Sequence, residues 1–182
     1  MRILRPIEFD LARQERLFFL LGPIQGGGNW QERACAILDV LTPEATIAVP
    51  CRWESDHPLK SRFAKGARPN DFSDQTTWER YYLEEAARSD KNGCILAWLP
   101  CEDPFNPRSD GQPYARDSYG EIGEWRGRMM SAKHTRFVMG AEERFPGLSV
   151  MQKNWNAALK MDFVIFPTLE ETVRQAVERS ES

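Results

Sequence analysis

Residues 17–30 read LFFLLGPIQGGGNW, and this stretch decides the class of fold. Its first five residues form a short, continuous apolar run that glycine and proline end, which is typical of a strand buried on both faces of a sheet. The glycine-rich turn leads into an amphipathic pattern that begins at Trp30 and predicts a helix. A buried strand, a glycine turn and a helix in succession indicate an α/β architecture.

The same alternation of strand and helix patterns occurs five times along the chain. The predicted strands are residues 17–21, 45–49, 94–99, 136–139 and 162–166. The predicted helices are residues 30–40, 77–88, 119–132, 150–160 and 169–179. Such alternation predicts βαβ units, and therefore a five-stranded parallel sheet covered by helices on both faces. The expected fold is a three-layer, doubly wound, flavodoxin-like α/β domain with the strand order 2-1-3-4-5, numbered along the chain.

The length of 182 residues suits one such domain, which we expect to span residues 17–182. Residues 1–16 carry no clear strand pattern, so we expect a flexible or edge-covering N-terminal arm. Two long polar stretches, residues 52–74 and 101–116, each follow a predicted strand. Loops of this length in a compact domain usually form lids or site walls.

Charge and composition exclude several classes of function. With 24 basic and 27 acidic residues, a net charge of -3 gives no field that would hold polymeric DNA or RNA. No apolar run is long enough to span a membrane, and charged residues stand where a signal peptide needs an apolar core, so we expect a cytoplasmic protein without a membrane partner. Four cysteines without a CxxC pair and two histidines predict no metal site. No motif for a dinucleotide or a P-loop is present, and we predict no cofactor.

In a sheet of this order, ligands bind where the loops after the first and third strands meet. Residues 114–125, YARDSYGEIGEW, follow the third strand and its long loop. Ser118 and Glu121 have capping-box spacing. One interpretation is therefore that Glu121 only helps to cap the start of a helix, which would stabilise the fold by ~1 kcal/mol. Gly120 and Gly123 favour a function instead, because they lower helix propensity around Glu121. The helix dipole would hold a first-turn carboxylate ionised, as a nucleophile requires.

Three segments together, GPIQGGGNW (22–30), the Trp78-Glu79 pair and residues 114–125, resemble the nucleoside 2-deoxyribosyltransferase superfamily. The closest likeness is to the nucleoside 2-deoxyribosyltransferase-like proteins of bacteria and phages, over residues 18–166. The resemblance implies that the glutamate of the E-[IL]-G segment, here Glu121, attacks the anomeric carbon of a nucleoside or nucleotide and expels the base. Another base or water then attacks the glycosyl enzyme. It also implies a homo-oligomer.

The resemblance assigns further roles within these segments. Glu79 matches the acidic residue with which family members handle the sugar or the leaving base. Family transferases often have an aspartate where Ala115 stands, and Asp117 either substitutes for it or caps the helix. The predicted substrate contacts include residues of the first loop and of the segment before Glu121: Gly22, Pro23, Gln25, Gly26 and Tyr114.

Four more residues complete the predicted substrate site, each with a structural alternative. Trp30 and Trp78 could stack on a nucleobase, or they could fill the core. Arg52 and Arg116 could bind a 5'-phosphate, or they could be ordinary surface residues. Similarly, Gln25 could hydrogen-bond a sugar hydroxyl or a base edge, or face solvent. The glycines of the first loop could admit a ligand to the backbone, or merely form the turn.

Overall fold

The computed structural model of the chain describes residues 1–6, 8–9, 16–51, 68–69, 75–88, 90, 92–132 and 135–181. In these residues the strands are β1 (Arg2–Leu4), β2 (Glu8–Phe9), β3 (Arg16–Leu21), β4 (Thr46–Ala48), β5 (Arg68–Pro69), β6 (Asn92–Leu99), β7 (Phe137–Ala141) and β8 (Ile165–Phe166). The helices are α1 (Trp30–Leu41), α2 (Gln75–Ala87), α3 (Arg116–Ser131), α4 (Leu148–Leu159) and α5 (Leu169–Glu181). No helix of the described residues has the length and apolar character that crossing a membrane requires.

In the part of the chain that the structure describes, the main sheet is parallel and has six strands in the order β1-β4-β3-β6-β7-β8. It is an α/β sheet consistent with a flavodoxin-like fold. The prediction of five strands in the order 2-1-3-4-5 was wrong in count and order, because β1 adds a strand at the edge beside β4. A separate two-stranded antiparallel sheet pairs β2 with β5.

The N-terminal residues are more regular than the arm predicted for residues 1–16. Arg2–Leu4 pairs in register with Thr46–Ala48, and the side chains of Ile3 and Leu4 are fully buried. This strand has little signal in the sequence, since a run of two apolar residues between arginines is too short to show a period. β1 lies at the lateral edge of the sheet beside β4 and leaves the carboxyl edge, where a site was expected, unchanged.

Alternate side chains of β3 enter two separate cores. Leu17, Phe19 and Leu21 pack with residues of α2, α3 and α4 on one face of the sheet. Phe18 and Leu20 pack with residues of α1 and α5 on the other face. Both faces of the parallel sheet are therefore covered, which explains why its strands are continuously apolar.

Candidate functional site

A pocket of about 500 Å³ opens at the carboxyl edge of the sheet, beside the loops that follow β3 and β6. The chain goes from β3 to β4 on one side and then returns to β6 on the other, so this edge is the topological switch point of the sheet. The structure brings six of the predicted site residues to this pocket: Gly22, Pro23, Gln25, Glu79, Asp117 and Glu121.

Glu121 reaches the pocket from the second turn of α3. The helix begins at Arg116, and its N-cap is Ala115, which has a left-handed backbone (φ 57°) and no side-chain capping bond. The capping-box interpretation of Ser118 and Glu121 was therefore wrong, because Ser118 already lies inside the helix. Ile122 and Trp125 anchor α3 in the core. Glu121 is left facing the pocket without a part in starting the helix.

The surroundings of Glu121 favour its neutral form. Burial, together with the negative charges of Glu79, Asp117 and Glu124, raises the pKa of this carboxyl to about 8. Among the described residues, none donates a hydrogen bond to the Glu121 carboxylate. The expectation that the helix dipole holds Glu121 ionised was wrong, because desolvation outweighs a dipole whose effect fades beyond the first turn.

Glu79 is the second acid of the pocket and has different surroundings. It lies one turn into α2, and the side-chain amide of Gln75 donates a hydrogen bond of 2.7 Å to its Oε1. Burial raises the pKa of Glu79 and the charge of Asp117 raises it too, while the Gln75 hydrogen bond lowers it. Glu79 and Glu121 are thus two half-buried carboxyl groups, of which only Glu79 has a donor among the described residues.

The loop between β6 and α3 brings Arg108 to the pocket wall. Its guanidinium binds both carboxylate oxygens of Asp110, with Nε–Oδ1 at 2.7 Å and Nη2–Oδ2 at 3.0 Å. The Asp117 carboxylate lies 3.8 Å from Nη2 of the same group. The cation is therefore already paired with acids, and the acidic Glu79, Glu121 and Asp117 dominate the described lining of the pocket.

The glycines of the first loop have structural causes. A Cβ on Gly22 would lie 2.2 Å from the Trp98 carbonyl oxygen, and one on Gly27 would lie 2.3 Å from that of Pro23. Gly26 has a left-handed backbone (φ +74°) and packs against the loop after β6, outside the pocket lining. Packing and turn geometry therefore account for these glycines, which agrees with the alternative that they merely form the turn.

Four other predicted substrate residues lie outside this pocket. Trp30 and Trp78 are core residues, and their indole N–H groups donate to the carbonyls of Pro23 (2.8 Å) and Glu8 (2.7 Å). The Tyr114 hydroxyl donates to the Pro100 carbonyl at 2.8 Å, which ties the long loop to the end of β6. Arg116 is exposed and binds Asp117 and Gln112. Arg52 lies outside the described residues.

Sequence reasoning missed seven residues of the pocket wall: Ile24, Pro50, Gln75, Thr76, Arg108, Ala115 and Ser118. Two of them had a usable signal. Gln75 stands four residues before Glu79, a spacing that lets helical side chains meet. Arg108 lies in the long polar loop that was predicted to form a site wall.

No protein-family model matches the chain, and a search of curated proteins finds no match either.

Proposed function

We propose that this pocket cleaves or exchanges the N-glycosidic bond of a nucleoside or deoxynucleoside, with Glu121 as the nucleophile. The observation that carries the proposal is Glu121 itself: a half-buried carboxyl group at the switch point, beside a second acid, with no part in capping its helix. Burying such a group costs stability, and pockets that keep one commonly use it in chemistry.

Two neighbouring carboxyl groups supply what the reaction needs. The Glu121 carboxylate bonds to the anomeric carbon as the bond from that carbon to the base nitrogen breaks. The bonding electron pair stays on the base, which takes a proton from Glu79. An incoming base or a water molecule then displaces Glu121, which restores that carboxylate, and gives up a proton to Glu79, which restores the acid. The reaction thus requires one proton and one negative charge on the Glu79–Glu121 pair.

The raised pKa values are compatible with this requirement. With a pKa of about 8, Glu121 keeps a proton at neutral pH. We expect kcat/KM to fall as the pH rises above about 8, because the pair then loses the proton that the departing base needs. The acidic lining favours an uncharged nucleoside over a phosphorylated one, since Arg108 is already paired with Asp110.

A second candidate is an N-glycoside hydrolase in which protonated Glu121 is the general acid and Glu79 activates water. It would act on a nucleotide or cleave NAD, and the raised pKa of Glu121 favours it. A nucleotide-binding protein of this fold without turnover is the non-enzymatic alternative. It would bind a nucleotide and release no base from it.

The experiment is a panel of deoxynucleosides, their monophosphates and NAD, incubated with and without an acceptor base and analysed by chromatography. We expect free base, or exchanged nucleoside when an acceptor is present. Glu121→Gln should lower the rate at least about a thousandfold. Glu124→Gln is the matched control, because Glu124 lies on the same helix, pairs with Arg80 and Arg128, and does not line the pocket.

Three results would contradict the proposal. One is full activity in Glu121→Gln, and another is an equal loss in Glu124→Gln. The third is the absence of base release from every substrate of the panel, which would favour the binding protein.

A further inference from the structure

Gln75 gives Glu79 a hydrogen-bond donor that Glu121 does not have among the described residues. It is the first residue of α2, it lines the pocket, and its amide Nε2 lies 2.7 Å from Oε1 of Glu79. A donor at this distance stabilises the carboxylate form of its partner more than the neutral acid. No described residue offers such a donor to Glu121.

The other charges near the pair do not offset the effect of this hydrogen bond on the difference between the two pKa values. Asp117 raises the pKa of both Glu79 and Glu121, and Glu124 raises that of Glu121. Arg108 is the cation of the described lining, and its guanidinium is committed to Asp110 and Asp117. The hydrogen bond from α2 and the charge of Glu124 therefore act in the same direction, and both favour a charged Glu79 beside a neutral Glu121.

We propose that Gln75 is a positioning residue: its amide holds Glu79 as the charged member of the pair and leaves the shared proton on Glu121 in the ligand-free protein. The protonation state follows from the hydrogen-bond geometry, and its consequence for catalysis rests on the proposed function. For Glu121 to bond to the anomeric carbon, its proton must first pass to Glu79, which then gives it to the departing base. Gln75 thus sets how much of the reactive form the free protein contains.

The test is carboxyl ¹³C NMR of glutamate-labelled protein titrated from pH 4 to about 10, with resonances assigned by Glu79→Gln and Glu121→Gln. In the wild type, we expect the carboxyl that titrates near pH 8 to be Glu121. Gln75→Met keeps the length of the side chain and removes the donor. It should raise the pKa of Glu79 by roughly one pH unit and move part of the proton from Glu121 to Glu79.

Two further variants control this result. Gln75→Lys keeps a donor and should return the pKa of Glu79 to the wild-type value or below. Gln175→Met removes an amide that donates to the carboxylate of Glu178 on the exposed face of α5, at 2.8 Å, and should leave both pocket carboxyls unchanged.

The proposal is overturned if the wild-type proton resides on Glu79, or if Gln75→Met leaves the titration of Glu79 unchanged. The NMR readout needs no substrate, so it separates this inference from the proposed function. A protein that releases no base from any substrate but shows the shift refutes only the function. A protein that turns over substrate without the shift refutes only the role of Gln75.

Discussion

Glu121 is held in a place that opposes its charge. Folding takes its carboxyl out of water and surrounds it with other acids, so its pKa rises from 4.5 to about 8. The molecule keeps this unfavourable arrangement although Glu121 has no part in starting α3. We interpret the lost stability as a consequence of a site selected for reactivity.

This shift predicts how stability depends on pH. Since the pKa is higher in the folded state, the contribution of Glu121 is fully present below pH 4.5 and is lost as the pH rises through about 8. The free energy of unfolding should therefore fall across this range, by at most about 1.4 kcal/mol per pH unit. Glu121→Gln cannot ionise, and its stability should decline less.

Urea denaturation at several pH values from 5 to about 9 measures the effect, with Glu178→Gln on the exposed face of α5 as the control. Parallel curves for the wild type and Glu121→Gln would show that burial does not shift this group.

The sequence predicted that Glu121 would lie at the pocket but not the way in which it is held. Its spacing from Ser118 matched a capping box, and at the same spacing from Glu171 the Thr168 side chain does cap a helix. There the Glu171 N–H donates to Thr168 Oγ1 at 3.2 Å, and the Thr168 hydroxyl lies 3.0 Å from Glu171 Oε2. Spacing alone cannot distinguish the two sites, because α3 begins at Arg116 after an N-cap, Ala115, whose left-handed backbone carries no capping signal.

Helix α3, which carries Glu121, is unusual because it contains three glycines that its packing does not explain. A Cβ added to Gly120, Gly123 or Gly127 would meet nothing within 4 Å, so packing within the described chain does not require glycine there. Each glycine in a helix interior costs ~1 kcal/mol relative to alanine. The boundaries of the element were predictable only in part: the pattern indicated a start at Tyr119, three residues after the true one.

We expect Gly127→Ala to raise the free energy of unfolding by roughly 0.5–1 kcal/mol, because alanine favours the helix and the space is open. Gly22→Ala should do the reverse, since its Cβ would lie 2.2 Å from the Trp98 carbonyl oxygen. Thermal and urea denaturation measure both changes. Destabilisation by Gly127→Ala would contradict the account and show that another surface approaches this face, such as the second subunit that the resemblance implies.

At the scale of the whole molecule, the order of the strands positions the site. The strands β3 and β6 lie side by side with β4 and β7 beyond them, so the loops after β3 and β6 meet at one edge. The apolar runs in the sequence predicted where these loops meet, because strands buried on both faces have a clear apolar pattern. They could not predict β1 or the pairing of β2 with β5, since these strands are two or three residues long.

The central claim is that Glu121 forms a covalent bond to the sugar, and trapping that bond is its most direct test. A fluorinated nucleoside analogue slows the second displacement and lets the glycosyl enzyme accumulate. Intact-protein mass spectrometry should then show one added glycosyl group, which peptide mapping places on Glu121, and Glu121→Gln should acquire none. A label on Glu79 or Asp117, or continued base release without any label, would contradict the account.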